Sequence, residues 1–381
     1  PATAQEIGRV PHATSTDLDR AVEAAGRAFP AWAALSADER GKILLRAQAL
    51  IRERATEIAR VATLENGKNY REALAEVQRS SGTLSWYAEV AKRAYGRVIP
   101  SDASTRLYTV REPIGPVAAF VPWNFPSGGP LRKLSAGLAA GCTFVIKCSE
   151  ETPATAVQLV KCFEDAGVPA GVINLVFGDP PMISEHLIAA SPIRMVAFTG
   201  SVPVGKLIAQ HAAKVMKPCI MELGGHAPVI VAEDADPVMA AKRSAFGKFI
   251  NSGQVCTSPT RFIVHERHHE VFVETFVEAA KALKIGDGLD DGVQMGPLAN
   301  PRRLDAMERL VQNALEKGAR LALGGKRMGN QGWFFEPTVL TEVPLDADIM
   351  IEEPFGPVVP IVRFSSLDTA LEIANSTAYG L

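Results

Sequence analysis

From residue 107 onward, short unbroken apolar runs alternate along the chain with longer stretches of helical spacing. The runs are Val117–Val121, Phe144–Lys147, Val172–Phe177, Met195–Phe198, Ile220–Glu222, Val229–Ala232 and Phe262–Val264. Helical patterns fill the gaps at Arg132–Ala140, Thr155–Ala166, Val204–Lys214, Pro237–Phe249 and His269–Leu283. Strands apolar throughout, separated by amphipathic helices, predict parallel sheets covered on both faces. Residues 1–100 have a different texture. Ser36-Ala-Asp-Glu39 is a capping-box signal ahead of an apolar-periodic run to about Glu65, and Tyr70 to Tyr95 repeats that period. A helical layer is expected there, followed by an alternating, strand-like segment at Leu107–Arg111. The whole reads as an α/β chain, whose ligands belong beyond the carboxyl ends of its strands.

Four of those strand ends carry candidate chemistry. Val121 is followed by Pro122-Trp123-Asn124-Phe-Pro, an amide on a loop held by prolines, suited to donate to an oxyanion without titrating. Ile146 is followed by Lys147-Cys-Ser-Glu150, a cation and a hydroxyl acceptor that suit a nucleoside diphosphate. Phe198 leads into Thr-Gly200-Ser201-Val-Pro203-Val204-Gly205, a glycine turn with Ser201 as the expected N-cap and backbone N–H groups for a phosphate. The same residues nearly match a P-loop, but Leu207 stands where a hydroxyl must hold Mg²⁺ and Pro203 removes an N–H. Met221 precedes Glu222-Leu223-Gly224-Gly225, a carboxylate expected to be desolvated, and so raised in pKa, beside glycines that leave space.

Composition narrows the field. Net charge is −2, with both signs spread along the 381 residues, so no basic stripe points to nucleic acid or an anionic membrane. The longest apolar stretch, from Ile114 to Pro122, is far too short to span a bilayer. Five cysteines without a CxxC pair argue against a disulfide framework and a cysteine-rich zinc site, and no metal is expected. A soluble protein of a reducing, cytoplasmic compartment fits. Cys142, Cys148, Cys162 and Cys219 lie in or beside apolar runs and read as small hydrophobes. Cys256, in Asn-Ser-Gly-Gln-Val-Cys-Thr-Ser-Pro, has a polar, flexible-looking setting in which a thiol is reachable. The chain starts at Pro1 without Met and stops at Leu381 just after an amphipathic segment, so both ends read as trimmed.

Taken in order, PWNFP, KCSEETP, FTGSVPVG, MELGG, FINSGQVC and EEPFGP resemble the aldehyde dehydrogenase superfamily, most closely its succinate semialdehyde and 2-oxoglutarate semialdehyde dehydrogenases. The resemblance implies a Rossmann-type cofactor domain, an α/β catalytic domain and an oligomerisation strand. It assigns 1–100 to the helical part of the cofactor domain, 101–114 to the oligomerisation strand, 115–222 to dinucleotide binding and 223–381 to the catalytic domain. It also implies family members longer than this chain at both ends, and a homodimer or homotetramer.

The family's roles carry over by position. Cys256 matches the nucleophile, Glu222 the general base, and Asn124 the side-chain half of the oxyanion hole, completed by the Cys256 N–H. Lys147 and Glu150 match the groups at the adenosine ribose, and Ser201 lies at the pyrophosphate. Pro122, Trp123, Gly200, Val204, Leu223 and Gly224 line the cofactor, and Glu353 and Phe355 place the nicotinamide ribose and ring. The cofactor implied is NAD, since Glu150 disfavours a 2′-phosphate, with NADP open because Lys147 offsets that. A thiolate would add to the aldehyde, hydride would leave for the nicotinamide, and Glu222 would activate water against the thioester. Arg132 matches one of two arginines that hold a distal substrate carboxylate. Ile250 stands at the other. A semialdehyde is therefore expected, with an uncharged aldehyde as the alternative. The rival classes are a CoA-acylating relative, a cysteine hydrolase without nicotinamide and a noncatalytic descendant.

Overall fold

The computed structural model describes residues 1–381, which divide into two compact units. One comprises Gly8–Ala62 and Leu74–Glu222; the other comprises Pro1–Ile7, Thr63–Ala73 and Leu223–Leu381.

The unit ending at Glu222 begins with α1 (Ser15–Ala34), α2 (Ala37–Glu53), α3 (Ala55–Asn66) and α4 (Tyr70–Ala91), the last two of which cross the division. The capping box at Ser36 forms as expected: Ser36 N donates to Glu39 Oε2 at 2.8 Å and Glu39 N to Ser36 Oγ at 3.2 Å. The periodic run does not continue to Glu65 as one helix, because α2 ends at Glu53 and Arg54 leaves the helical conformation before α3 starts. Strands β1 (Arg97–Ile99) and β2 (Leu107–Thr109) form an antiparallel ribbon, exposed along its whole length.

Next come β3 (Val117–Phe120), α5 (Gly128–Ala140), β4 (Phe144–Lys147), α6 (Pro153–Asp165), β5 (Ile173–Val176), α7 (Pro180–Ala189), β6 (Met195–Thr199), α8 (Val202–Lys214) and β7 (Cys219–Glu222). The strands make one parallel sheet in the order β5-β4-β3-β6-β7. Every residue of β3 and β4 is buried, the physical meaning of an unbroken apolar run. A left-handed Gly141, φ 93°, ends α5. Prolines in the first turns of α6, α7 and α8 start those helices without wasting an N–H.

The second unit has its own five-stranded sheet. It contains β8 (Ala227–Val231), α9 (Pro237–Phe249), β9 (Pro259–His265), α10 (His269–Lys281), α11 (Pro301–Glu316), β10 (Arg320–Leu323), β11 (Thr338–Thr341), α12 (Asp348–Ile351), β12 (Val358–Phe364) and α13 (Leu367–Ala374). The strand order is β10-β11-β12-β9-β8, parallel except for β10. Alternation along β9 feeds two cores: Phe262 packs with Phe272 and Phe276, and Ile263 with Leu304, Met307 and Val362.

Residues 1–7 and 63–73 belong to the second compact unit, although they fall within the 1–100 segment. Hydrogen bonds hold them there: Asn69 Nδ2 donates to Gln294 O at 2.9 Å, Tyr70 N to Gly288 O at 2.9 Å, and Trp333 N to Pro1 O at 3.1 Å.

Candidate active site

In the unit ending at Glu222, most of the residues singled out from the sequence collect along one edge of the sheet. Phe120 pairs with Lys147 on one side and with Phe198 on the other, and Thr199 pairs with Glu222. The chain fills the sheet outward from β3 through β4 to β5, then returns to add β6 and β7 on the far side. The change of direction falls between β3 and β6, where such sheets open a crevice at their carboxyl ends. Pro122 and Trp123 leave β3 at this point, and Asn124 is 6% exposed. Lys147 is buried and its ammonium pairs with the exposed Glu150 carboxylate.

Gly200 turns β6 into α8, and a Cβ there would sit 2.5 Å from the Phe198 ring. Ser201 has the N-cap backbone conformation, but its hydroxyl makes no capping bond. An N-cap side chain reaches the second or third helical amide, and the second here is Pro203, which has none. Val204, in the first turn of α8, is exposed.

Glu222 departs from expectation. It is exposed rather than desolvated, because β7 is an edge strand whose Ile220 and Glu222 face outward while Cys219 and Met221 are partly covered. On α5, Arg132 is exposed. Burial pushes the neighbouring Lys133 ammonium down to about 8, against the opposing pull of the Glu222 carboxylate.

In the second unit, Cys256 ends an unusual piece of backbone. Asn251 (φ 49°, ψ 36°), Ser252 (φ 56°, ψ 32°) and Gly253 (φ 75°) are consecutive left-handed residues between α9 and the cysteine. A left-handed conformation costs about 1–2 kcal/mol at each non-glycine position. Buried and half-buried polar groups hold it. Asn251 N donates to Glu72 Oε2 at 2.8 Å; Gln254 donates through both N and Nε2 to Asn251 O at 3.0 Å; Ser252 Oγ donates to Gly296 O at 2.8 Å; and Ala299 N donates to Gln254 Oε1 at 3.0 Å. The expected open, flexible setting is thus corrected: Asn251, Ser252 and Gln254 are at most 2% exposed, and Cys256 itself is partly buried. Partly buried Ile250 lies at the end of α9.

Glu353 stands in the same unit. Gly225 N donates to its Oε1 at 3.2 Å, and a methyl group on Gly224 would overlap its other oxygen. The space that the glycines after Leu223 leave is therefore filled from within, by Glu353 at Gly224 and by the Cys256 carbonyl, 2.7 Å from a Cβ built on Gly225. Burial pushes the Glu353 carboxyl up to about 7, opposed by Gly225 N and by the charges of Arg303 and Lys248. Phe355 is left-handed, φ 46°, with the Arg303 guanidinium 5.8 Å from its ring centroid and bonded to the Pro354 carbonyl.

The full chain, residues 1–381, matches the family described as Aldehyde dehydrogenase family. The chain belongs to the aldehyde dehydrogenase family. It is 43% identical over 382 residues to the 3-sulfolactaldehyde dehydrogenase of Pseudomonas putida, covering 100% of this chain and 79% of that protein. It is 41% identical to the NADP(+) succinate-semialdehyde dehydrogenase of Escherichia coli (strain K12), with 100% and 79% covered. The crystal structure of succinate-semialdehyde dehydrogenase from Burkholderia pseudomallei superposes at a TM-score of 0.98 with 40% identity, over 100% of this chain and 79% of that one. The protein is accordingly an oxidoreductase with the aldehyde dehydrogenase fold.

Five charged residues of this aldehyde dehydrogenase escaped the sequence reading: Glu72, Glu76, Lys133, Lys248 and Arg303. Lys248 left a signal. Buried positions on α9 are Ala241, Ser244, Ala245, Lys248 and Phe249, so the lysine occupies a core phase of the helix. It is fully buried, its Nζ has no hydrogen-bond partner, and burial pushes it down to about 7, opposed by the Glu353 charge. Arg303, on α11, is likewise pushed down by burial, to about 10.

Proposed function

We propose that this protein oxidises an aldehyde bearing a distal anionic group, such as succinic or 2-oxoglutarate semialdehyde, to the carboxylate, with Cys256 as nucleophile. The observation that carries the reading is the strained turn at residues 251–253, three residues before the partly exposed Cys256. Backbone strain held by buried polar groups is characteristic of functional positions. The Cys256 thiolate adds to the aldehyde carbon, and the oxyanion accepts hydrogen bonds from Asn124 Nδ2 and the Cys256 N–H. The carbonyl re-forms as the hydrogen leaves with its electron pair, giving a thioester. Glu222 takes a proton from the water that attacks it, and the carboxylate product departs from the regenerated thiolate. The Glu222 carboxylate is exposed to solvent.

The carboxyl edge of the β3–β7 sheet suits a nicotinamide dinucleotide. A lysine–glutamate pair can meet ribose hydroxyls, a glycine turn can meet a pyrophosphate, and Glu353 supplies a carboxylate for the nicotinamide ribose. When bound, the nicotinamide supplies the hydride acceptor. NAD is the assigned cofactor, with NADP admitted because Lys147 neutralises Glu150.

A distal anion is common to the names of both relatives above, and exposed Arg132 is the group assigned to it. Ile250 supports a second reading, an uncharged aldehyde. A panel of carboxylate-bearing, sulfonate-bearing and uncharged aldehydes of matched length, followed by reduced-nicotinamide formation, decides between them, with Cys256→Ala as the blank. Activity surviving in that blank refutes the nucleophile. Ile250→Arg should raise kcat/KM for succinic semialdehyde over an uncharged aldehyde by about fivefold, the worth of one well-placed charge contact. No gain means the distal anion is bound elsewhere. The exposed β1–β2 ribbon, with Val98 84% and Tyr108 71% exposed, supports a homodimer or homotetramer, which sedimentation of the full-length protein would test.

A further inference from the structure

Two glutamates one turn apart on α4 each hold a loop that carries a reacting group. Glu72 lies in the first turn, where its own N–H donates to Asn69 Oδ1 at 3.0 Å and a carboxylate is favoured by the helix dipole. Its Oε2 accepts from Asn251 N at 2.8 Å, at the first of the three left-handed residues before Cys256. Ser252 Oγ, Gln254 Nε2 and Gln254 Oε1 give that turn neutral hydrogen bonds, and Glu72 gives it a charge-assisted one. Glu76 is 8% exposed, and its Oε1 accepts from Ser127 N at 2.9 Å, Ser127 Oγ at 2.7 Å and Gly128 N at 2.8 Å. Ser127, itself fully buried, does not cap α5 with its own hydroxyl. Glu76 does the capping instead, three residues past Asn124, and so fixes where the Pro122–Pro126 loop enters the helix.

We propose that Glu72 and Glu76 are positioning residues of aldehyde oxidation, Glu72 through the loop that delivers Cys256 and Glu76 through the loop that delivers Asn124. The inference rests on the roles assigned to Cys256 and Asn124. Each glutamate acts through an acceptor oxygen at a fixed place, so its replacements separate geometry from charge. Glutamine keeps the acceptor, aspartate withdraws it by one methylene, and leucine removes it.

The test is made in the full chain, with the single-turnover rate of reduced-nicotinamide formation, kcat, the KM for the dinucleotide and Tm measured for each variant. Glu72→Leu and Glu76→Leu should slow the single turnover by about ten- to a hundredfold, with dinucleotide KM within about twofold, as a small misplacement of reacting groups does. Glu72→Gln and Glu76→Gln should stay within about threefold of wild type, and the aspartate variants should fall between. A role in stability alone predicts a different outcome, with Tm falling and the single-turnover rate below Tm unchanged. Leucine variants at the wild-type rate, or glutamine variants as slow as the leucine ones, overturn the inference. Should the leucine variants not fold, aspartate variants at the wild-type rate overturn it equally. Cys256→Ala run alongside keeps the two claims apart. If it is inactive while the glutamate variants are unimpaired, only this inference fails; if it is active, the nucleophile assignment fails.

Discussion

Glu222 at the end of β7 and Glu353 in the loop before β12 are both carboxylates beside glycines, yet they have opposite surroundings. Glu222 lies on the open side of an edge strand and is exposed. Glu353 is enclosed against Gly224 and Gly225, with its carboxyl pushed up to about 7. The comparison teaches that a strand end does not by itself desolvate a side chain. What decides is whether the next layer covers that face. Exposure suits a group that must exchange protons with water, whereas enclosure suits one that must hold a fixed position.

The largest test of this contrast is Glu222→Gln. If the exposed carboxylate is the base that activates water, kcat should fall by about a hundredfold or more, while the first turnover survives as a burst of reduced nicotinamide. Loss of the burst together with kcat would instead place Glu222 in the first chemical step. Gly224→Ala probes the enclosed carboxylate. The added methyl has no room beside Glu353, so the side chain must move, and dinucleotide KM should rise by about tenfold with a lower Tm. Unchanged KM and Tm would show that Glu353 moves aside freely and is not held.

The same contrast explains how much the sequence made legible. Strands β3 and β4 were readable because both faces are buried, so apolar content alone marks them. Helical spacing marks Pro237–Phe249 to the residue, and in the structure Asp236 caps it ahead of a helical proline. Segment Ile220–Glu222 looked the same as the buried strands, but its alternating exposure depends on which strand sits at the sheet edge, a fact of topology. The motif residues are legible as candidates in the local sequence, and their mutual support is not. Glu72 and Asn251 are 179 positions apart, and no local pattern links them. Lys248 lay in plain view at a core phase of α9, but only the packing shows that it faces the charge of Glu353.

The pH dependence of stability tests the enclosed pair most gently. Glu353 is raised from 4.5 to about 7, so across that interval the folded chain holds a proton that the unfolded chain has released. Stability from this group therefore falls as pH rises, and the loss is complete above about 7. Lys248, lowered from 10.5 to about 7, acts in the opposite sense at higher pH: the unfolded chain holds the proton and stability climbs. Glu353→Gln removes the falling limb. It also takes away the carboxylate charge that holds the Lys248 proton on, which moves the climbing limb to lower pH. Both changes have the same sign. The Tm of the variant relative to wild type should improve steadily from about pH 5 to about pH 7 and level off beyond. A flat difference for Glu353→Gln would mean that the Glu353 carboxyl is not enclosed.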